Sequence, residues 1–107
     1  MTLRAFRDLL LTVGIPVFHH EADKQTDTYA VWSEQSADRY TRDNQTVSRV
    51  FKIRVSVFTK TEFDETLDLL ERTLERAGIV IDGPAVRYER DTLYTGYFYD
   101  CEVNDGN

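Results

Sequence analysis

Val47-Ser48-Arg49-Val50-Phe51-Lys52-Ile53-Arg54-Val55-Ser56-Val57-Phe58-Thr59 is the stretch that decides the fold. Val47, Phe51, Ile53, Val55 and Val57 fall on one side of an extended chain, with Arg49 the exception, and Ser48, Lys52, Arg54 and Ser56 fall on the other. Alternation sustained over this length predicts an antiparallel strand with one face on a core and one face toward solvent. Everything around it must supply that core.

The segment after it reads as a helix. Thr61-Glu62-Phe63-Asp64 is a weak capping box. Phe63, Leu67, Leu70, Leu74 and Ala77 then step by four and three, which puts them on one helical stripe, and Gly78 ends the run. The polar face carries Glu62, Glu65, Asp68 and Glu71 ahead of Arg72 and Arg76, with Glu75 between the arginines. Acids leading and arginines trailing suit the helix dipole. Near the start of the chain, Thr2 can cap a second helix over residues 3–13, in which Leu3, Phe6, Leu10 and Val13 share a stripe before Gly14 and Pro16 stop it. A short extended piece follows through about His20, then a polar loop at residues 21–28. Tyr29 to Glu34 is expected to be a strand, with Ala30, Trp32 and Glu34 opposite Tyr29, Val31 and Ser33. Residues 35–45 are polar without apolar periodicity, and are expected to be a flexible loop or an extended arm.

Beyond the second helix, Ile79-Val80-Ile81 reads as a short strand or extended connection, and Asp82-Gly83-Pro84 as a turn. Val86 to Glu89 and Leu93 to Val103 read as strands joined through Arg90-Asp91-Thr92, with residues 104–107 as a frayed tail. The expected fold class is α+β: one domain over residues 1–107, two layers, a mainly antiparallel sheet with two amphipathic helices on one face. A chain of 107 residues has room for one domain.

Composition excludes several roles. Lys and Arg number 13 against 19 Asp and Glu, a net charge of −6, which argues against a free-standing nucleic-acid binder. The charge is uneven: residues 1–60 hold nine basic and seven acidic residues, residues 61–107 hold four and twelve. Halves of opposite sign can draw copies of the chain together head to tail. No apolar run is long enough to cross a membrane. Cys101 is the one cysteine, so no internal disulfide is implied, and a cytoplasmic origin is expected.

Catalytic and metal chemistry find little support in the residue pattern. His19-His20-Glu21 offers two imidazoles, but on a regular strand His19 and Glu21 share a face while His20 points away. Cys101 lies in the last strand among core-type neighbours. The carboxylates Glu62, Asp64, Glu65 and Asp68 read as a solvated helix face, and no glycine-rich phosphate loop occurs. The expectation is therefore no catalytic residue, no cofactor and no metal. Surface remains. On the last strand Tyr94 and Phe98 lie opposite Tyr97 and Tyr99, so helices on one face leave aromatics exposed on the other, as a protein contact would, unless the loop 35–45 or the 21–28 segment folds over them. Lys52 and Arg54 would share that outer face and could meet Glu71 or Glu75 of a neighbouring copy. Arg39, Tyr40 and Arg42 would ride on a reaching arm. Two rival classes stand beside this one: a small-ligand or regulatory binding module of α+β type, and an enzyme using His19, His20 or Cys101.

The order of signals resembles the tail-completion proteins of phages and prophages, the tail terminator or tail-to-head joining family of long-tailed phages. The likeness rests on Leu9-Leu10 followed by Gly14-Ile15-Pro16-Val17, on Tyr29-Ala30-Val31-Trp32, and on Arg49 through Lys60. It continues through Leu70 and Leu74 to Ala77-Gly78-Ile79, then Tyr88-Glu89, Leu93-Tyr94 and the final aromatic strand. Where members often carry prolines before the second strand, this chain has Lys24 to Thr28. The resemblance implies an α+β fold without enzymatic activity, made in a bacterial host and carried in the virion tail or neck. It implies a homo-oligomeric ring, commonly of six copies, that caps the tail tube and docks to head connector proteins. DNA would be passing cargo, and no membrane is involved.

Overall fold

A computed structural model describes residues 1–106. The elements run α1 (Leu3–Leu11), β1 (Val17–His19), β2 (Thr28–Arg42), β3 (Gln45–Thr59), α2 (Thr66–Arg76), β4 (Ile81–Tyr88) and β5 (Thr95–Gly106). The strands form one sheet in the order β1-β2-β3-β5-β4. Only the β1–β2 pairing is parallel; the rest are antiparallel. This is the expected α+β class.

The alternation read from β3 sets the layers. Ile53, Val55 and Val57 face the helices together with Ala30 and Trp32 of β2 and Tyr99, Cys101 and Val103 of β5. Phe6 and Leu10 of α1, Val13 just beyond it, and Leu70 and Leu74 of α2 close over them. Phe6 meets Trp32 edge to face at 5.5 Å between ring centroids. Truncating a side chain such as Leu74 in this layer would cost about 2–5 kcal/mol. Thr2 caps α1, its hydroxyl accepting from the Ala5 amide at 3.0 Å.

The helices cover only part of the sheet. Nine and eleven residues at ~1.5 Å rise make α1 and α2 roughly 14 and 17 Å long. Fifteen residues each at ~3.3 Å make β2 and β3 roughly 50 Å long. The molecule is accordingly drawn out to 52 × 26 × 23 Å. Past Phe51 the sheet runs on with no helix above it, which is why Arg49 and Val47 can occupy the nominal core face.

Several expectations change. Residues 35–42 continue β2 and Gln45 opens β3, so the polar stretch is a paired hairpin turning at Asp43 and Asn44, both at positive φ (54° and 62°). Of the two forms considered, loop and extended arm, the chain adopts the second, and it is a regular one. Residues 104–106, expected to fray, pair with Val50, Arg49 and Ser48; Asn107 lies outside the described residues. Asp82-Gly83-Pro84 does not turn the chain. It forms an irregularity within β4, between the Asp82–Asp100 and Ala85–Phe98 pairs. Gly83 has φ of 106°, and a Cβ there would lie 2.8 Å from the Phe98 carbonyl oxygen, so this close approach requires glycine.

Phe63 is the clearest correction. It was expected on the core stripe of α2 but is 88% exposed, with φ of 54°, because the helix begins only at Thr66. Asp64 sets that start. Its Oδ1 accepts from the Thr66 amide at 2.9 Å, while its Oδ2 accepts from the Thr59 and Thr28 hydroxyls at 2.7 and 2.9 Å. Thr59 is only 1% exposed, and its hydroxyl also accepts from the Thr61 amide and lies 2.9 Å from that of Thr28. One carboxylate thereby ties together β2, β3 and α2. Burial alone would raise its pKa, but the hydrogen bonds from Thr59, Thr66 and Thr28 outweigh that and hold it below the ordinary carboxylate value. Ala77, expected as the last residue of the stripe, is exposed past the helix end.

Candidate functional site

Three surfaces hold the residues that the sequence singles out. The first is the arm formed by the distal halves of β2 and β3. A bulge at Gln35 sets its facing: Glu34 pairs with Ile53, but Ser36 pairs with Lys52 and Ala37 with Phe51. The extra residue moves even-numbered positions of β2 from the helix face to the opposite one. Tyr40, 54% exposed, consequently projects from the open face opposite Ser48, while Arg39 lies across from Arg49 on the other. Two arginines directly opposite repel one another. Arg49 is drawn aside by Asp105 at 3.8 Å and by the Phe51 ring, 5.7 Å from its guanidinium carbon. Arg42 is exposed beside the turn.

The second surface is the open sheet face. Its aromatics cover one another. Tyr29 stacks on Phe58 at 5.2 Å, Phe18 and Tyr94 meet Tyr29 edge-on at 6.2 and 5.6 Å, and Phe98 meets Phe58 at 5.8 Å. Gly96 leaves the room: a Cβ there would sit 2.9 Å from Phe98 and 3.3 Å from Phe58. Tyr94, expected to be exposed, is only 8% exposed. Its hydroxyl donates to the Thr26 carbonyl at 2.6 Å, so the 21–28 segment closes over it, and the Lys60 ammonium lies 4.8 Å from its ring centre. Phe98 is half-buried, as is Phe58. Toward the arm the face becomes polar. Lys52 and Arg54 are exposed there as expected, and Arg54 Nε donates to Asp100 Oδ1 at 3.0 Å. With Asp82, Glu102 and Gln35 they line an open trough of about 700 Å³.

The acidic partners expected on α2 divide. Glu75 is exposed. Glu71 is turned inward, its Oε2 accepting from the Tyr99 hydroxyl at 2.7 Å, and is therefore already engaged within its own chain. Burial, then the Glu71 carboxylate, push the Tyr99 phenol far above its usual pKa. Cys101 is buried as expected; burial and the flanking Asp100 and Glu102 push its thiol up to about 12, the opposite of what a nucleophile needs.

The third surface is a histidine cluster that strand alternation hides. β1 ends at His19, and His20 takes φ of 71° with its amide bonded to the Trp32 carbonyl at 2.9 Å. That left-handed step swings its ring back over the His19 ring, at 3.8 Å between centroids, instead of away from it. His19 in turn stacks on Trp32 at 4.0 Å, and its Nε2 donates to Glu34 Oε1. Burial raises the Glu34 pKa, but the hydrogen bond from His19 and the nearby imidazoles outweigh it and hold it low. The sequence reading missed Glu34. The only signal available was parity: Trp32 and Glu34 share a face of β2, and parallel pairing sets His19 beside Trp32.

Compared with known families and curated proteins, the chain matches no family model and no curated sequence.

Proposed function

We propose that this chain is a structural virion assembly protein of a long-tailed phage or prophage: a tail terminator or head–tail joining component whose copies form a ring at the end of the tail tube. The arm carries the reading. A sheet segment of two to three strands with both faces open is marginal by itself in water. It gains stability when a partner covers it, and here it presents Arg39, Tyr40 and Arg42 at its end. A matching surface exists on the same chain: Glu62, Glu65, Asp68 and Glu75 are exposed along residues 62–76, against the exposed Arg72 and Arg76. Contact between unlike patches of identical copies is heterologous, and it closes into a ring when its rotation divides a full turn. An acidic conduit would also let DNA slide without sticking.

The test is light scattering across concentration, alone and with purified tail tubes, on the natural chain and on Tyr40→Asp combined with Arg42→Glu. Ring formation by the first and a folded monomer from the second are expected. Undiminished assembly of the double variant, or a natural chain that neither self-associates nor joins tubes, refutes the proposal. The trough beside Arg54 favours a second reading, a small-ligand or regulatory binding module, since its volume lies within the usual range of about 300–1,000 Å³. A chain that stays monomeric and binds a polar small molecule there would select that reading.

A further inference from the structure

We propose that His19, His20 and Glu34 form a binding site for a divalent transition-metal ion of the zinc, nickel and copper class. Their ligating atoms lie within 4.8 Å of one another. Imidazole nitrogen with carboxylate oxygen is a donor set that suits these ions. Bonds of about 2.0–2.2 Å in a tetrahedral site set ligands roughly 3.4 Å apart, so the widest pair needs to close by up to about 1.4 Å as the His20 ring turns.

Each ligand is anchored differently. His19 is held by its place in β1 and by the Trp32 ring beneath it. Glu34 stands on the neighbouring strand and already faces His19 Nε2. The backbone of His20 is pinned by the hydrogen bond its N–H donates to the Trp32 carbonyl, while its side chain is exposed. Coordination requires the His20 ring to tilt out of the stack, because two parallel imidazoles cannot aim their in-plane lone pairs at one point. Nothing covers that ring to prevent it. The His19–Glu34 hydrogen bond accounts for those two side chains but not for a second imidazole brought back by a left-handed residue. A shared ion accounts for all three. A fourth position would be open to water. This inference is independent of the ring reading, because it uses the β1–β2 end of the sheet and needs no second copy.

The experiment is calorimetric titration of tag-free protein with Zn(II) and Ni(II), with Cu(II) electron paramagnetic resonance to identify nitrogen ligands. One ion per chain is expected, with two imidazole nitrogens in the copper spectrum. His20→Ala should weaken binding by about tenfold or more, and Glu34→Gln by a comparable factor. At equal Zn(II) concentration the melting temperature of the natural chain should rise clearly more than that of His20→Ala. Among the described residues the His20 side chain makes no hydrogen bond, so His20→Ala is expected to fold, and circular dichroism checks that. No saturable binding, or equal binding by His20→Ala, overturns the proposal.

Discussion

Replacing Asp64 with Ala should destabilise the fold well beyond an ordinary surface change. The carboxylate caps α2 through the Thr66 amide and receives the hydroxyls of Thr59 and Thr28. Loss of a helix cap costs about 0.5–2 kcal/mol. A hydrogen bond to a charged group contributes about 1.5–3 kcal/mol where it is well shielded, and less at a half-buried site. The buried Thr59 hydroxyl keeps Thr28 and the Thr61 amide as partners, which limits the penalty. The net expectation is a loss of about 2–4 kcal/mol, a fall in melting temperature of roughly 10–15 °C for a domain of this size. Urea unfolding measures it directly. The pH dependence adds an independent check. A folded-state pKa below the unfolded one gives stability that is complete above the unfolded value and lost as pH falls through the folded one. The gap between the natural chain and Asp64→Asn should therefore be widest near neutrality and shrink as pH falls through the ordinary aspartate range and then through the lower folded-state pKa. A loss under ~0.5 kcal/mol for Asp64→Ala, the usual range for a plain surface change, or a gap that does not change with pH, would refute the account of Asp64 as the tie between β2, β3 and α2.

Two further changes probe the core boundary and the α2–sheet contact. Phe63→Ser should shift the urea midpoint by no more than ~0.5 kcal/mol equivalent, because the ring is 88% exposed; a loss of the core-truncation size would return Phe63 to the α2 stripe. Tyr99→Phe removes the hydroxyl that donates to Glu71 and should cost about 1–2 kcal/mol by the same assay, whereas an unchanged midpoint would mean that this bond contributes nothing.

The layer structure was legible because alternation in β3 is enforced by a real core: Ile53, Val55 and Val57 must face the helices. The same logic left loop and extended arm undecided in residues 35–45, because both faces of the arm meet solvent, so polar residues serve equally on either and no pattern marks a strand. The Phe63 error has a different origin. Spacing of four and three cannot tell where a helix begins, and here a capping carboxylate one residue later starts the helix beyond the phenylalanine. Tyr94 was misplaced because its cover comes from Thr26, which is 68 positions away in the chain. Among the expected contact residues, Arg39, Tyr40, Arg42, Lys52, Arg54 and Glu75 are exposed. Glu71 and Tyr94 are committed within the chain, a matter of tertiary partners that composition does not encode. His20 depends on a single left-handed residue, which a two-residue period conceals.

The outermost strands of the sheet are unequal, and this limits how copies can add to one another. β1 offers three residues and covers only Ala30–Trp32, so beyond it Ser33–Arg42 of β2 is itself the edge, interrupted by the bulge at Gln35 and carrying the charged Asp38, Arg39 and Arg42. β4 is longer but broken by its irregularity around Gly83, and Pro84 supplies no amide hydrogen. Such margins discourage indefinite fibre-like growth through backbone pairing. For any association of copies, these margins favour side-chain contacts, where geometry can stipulate a finite number.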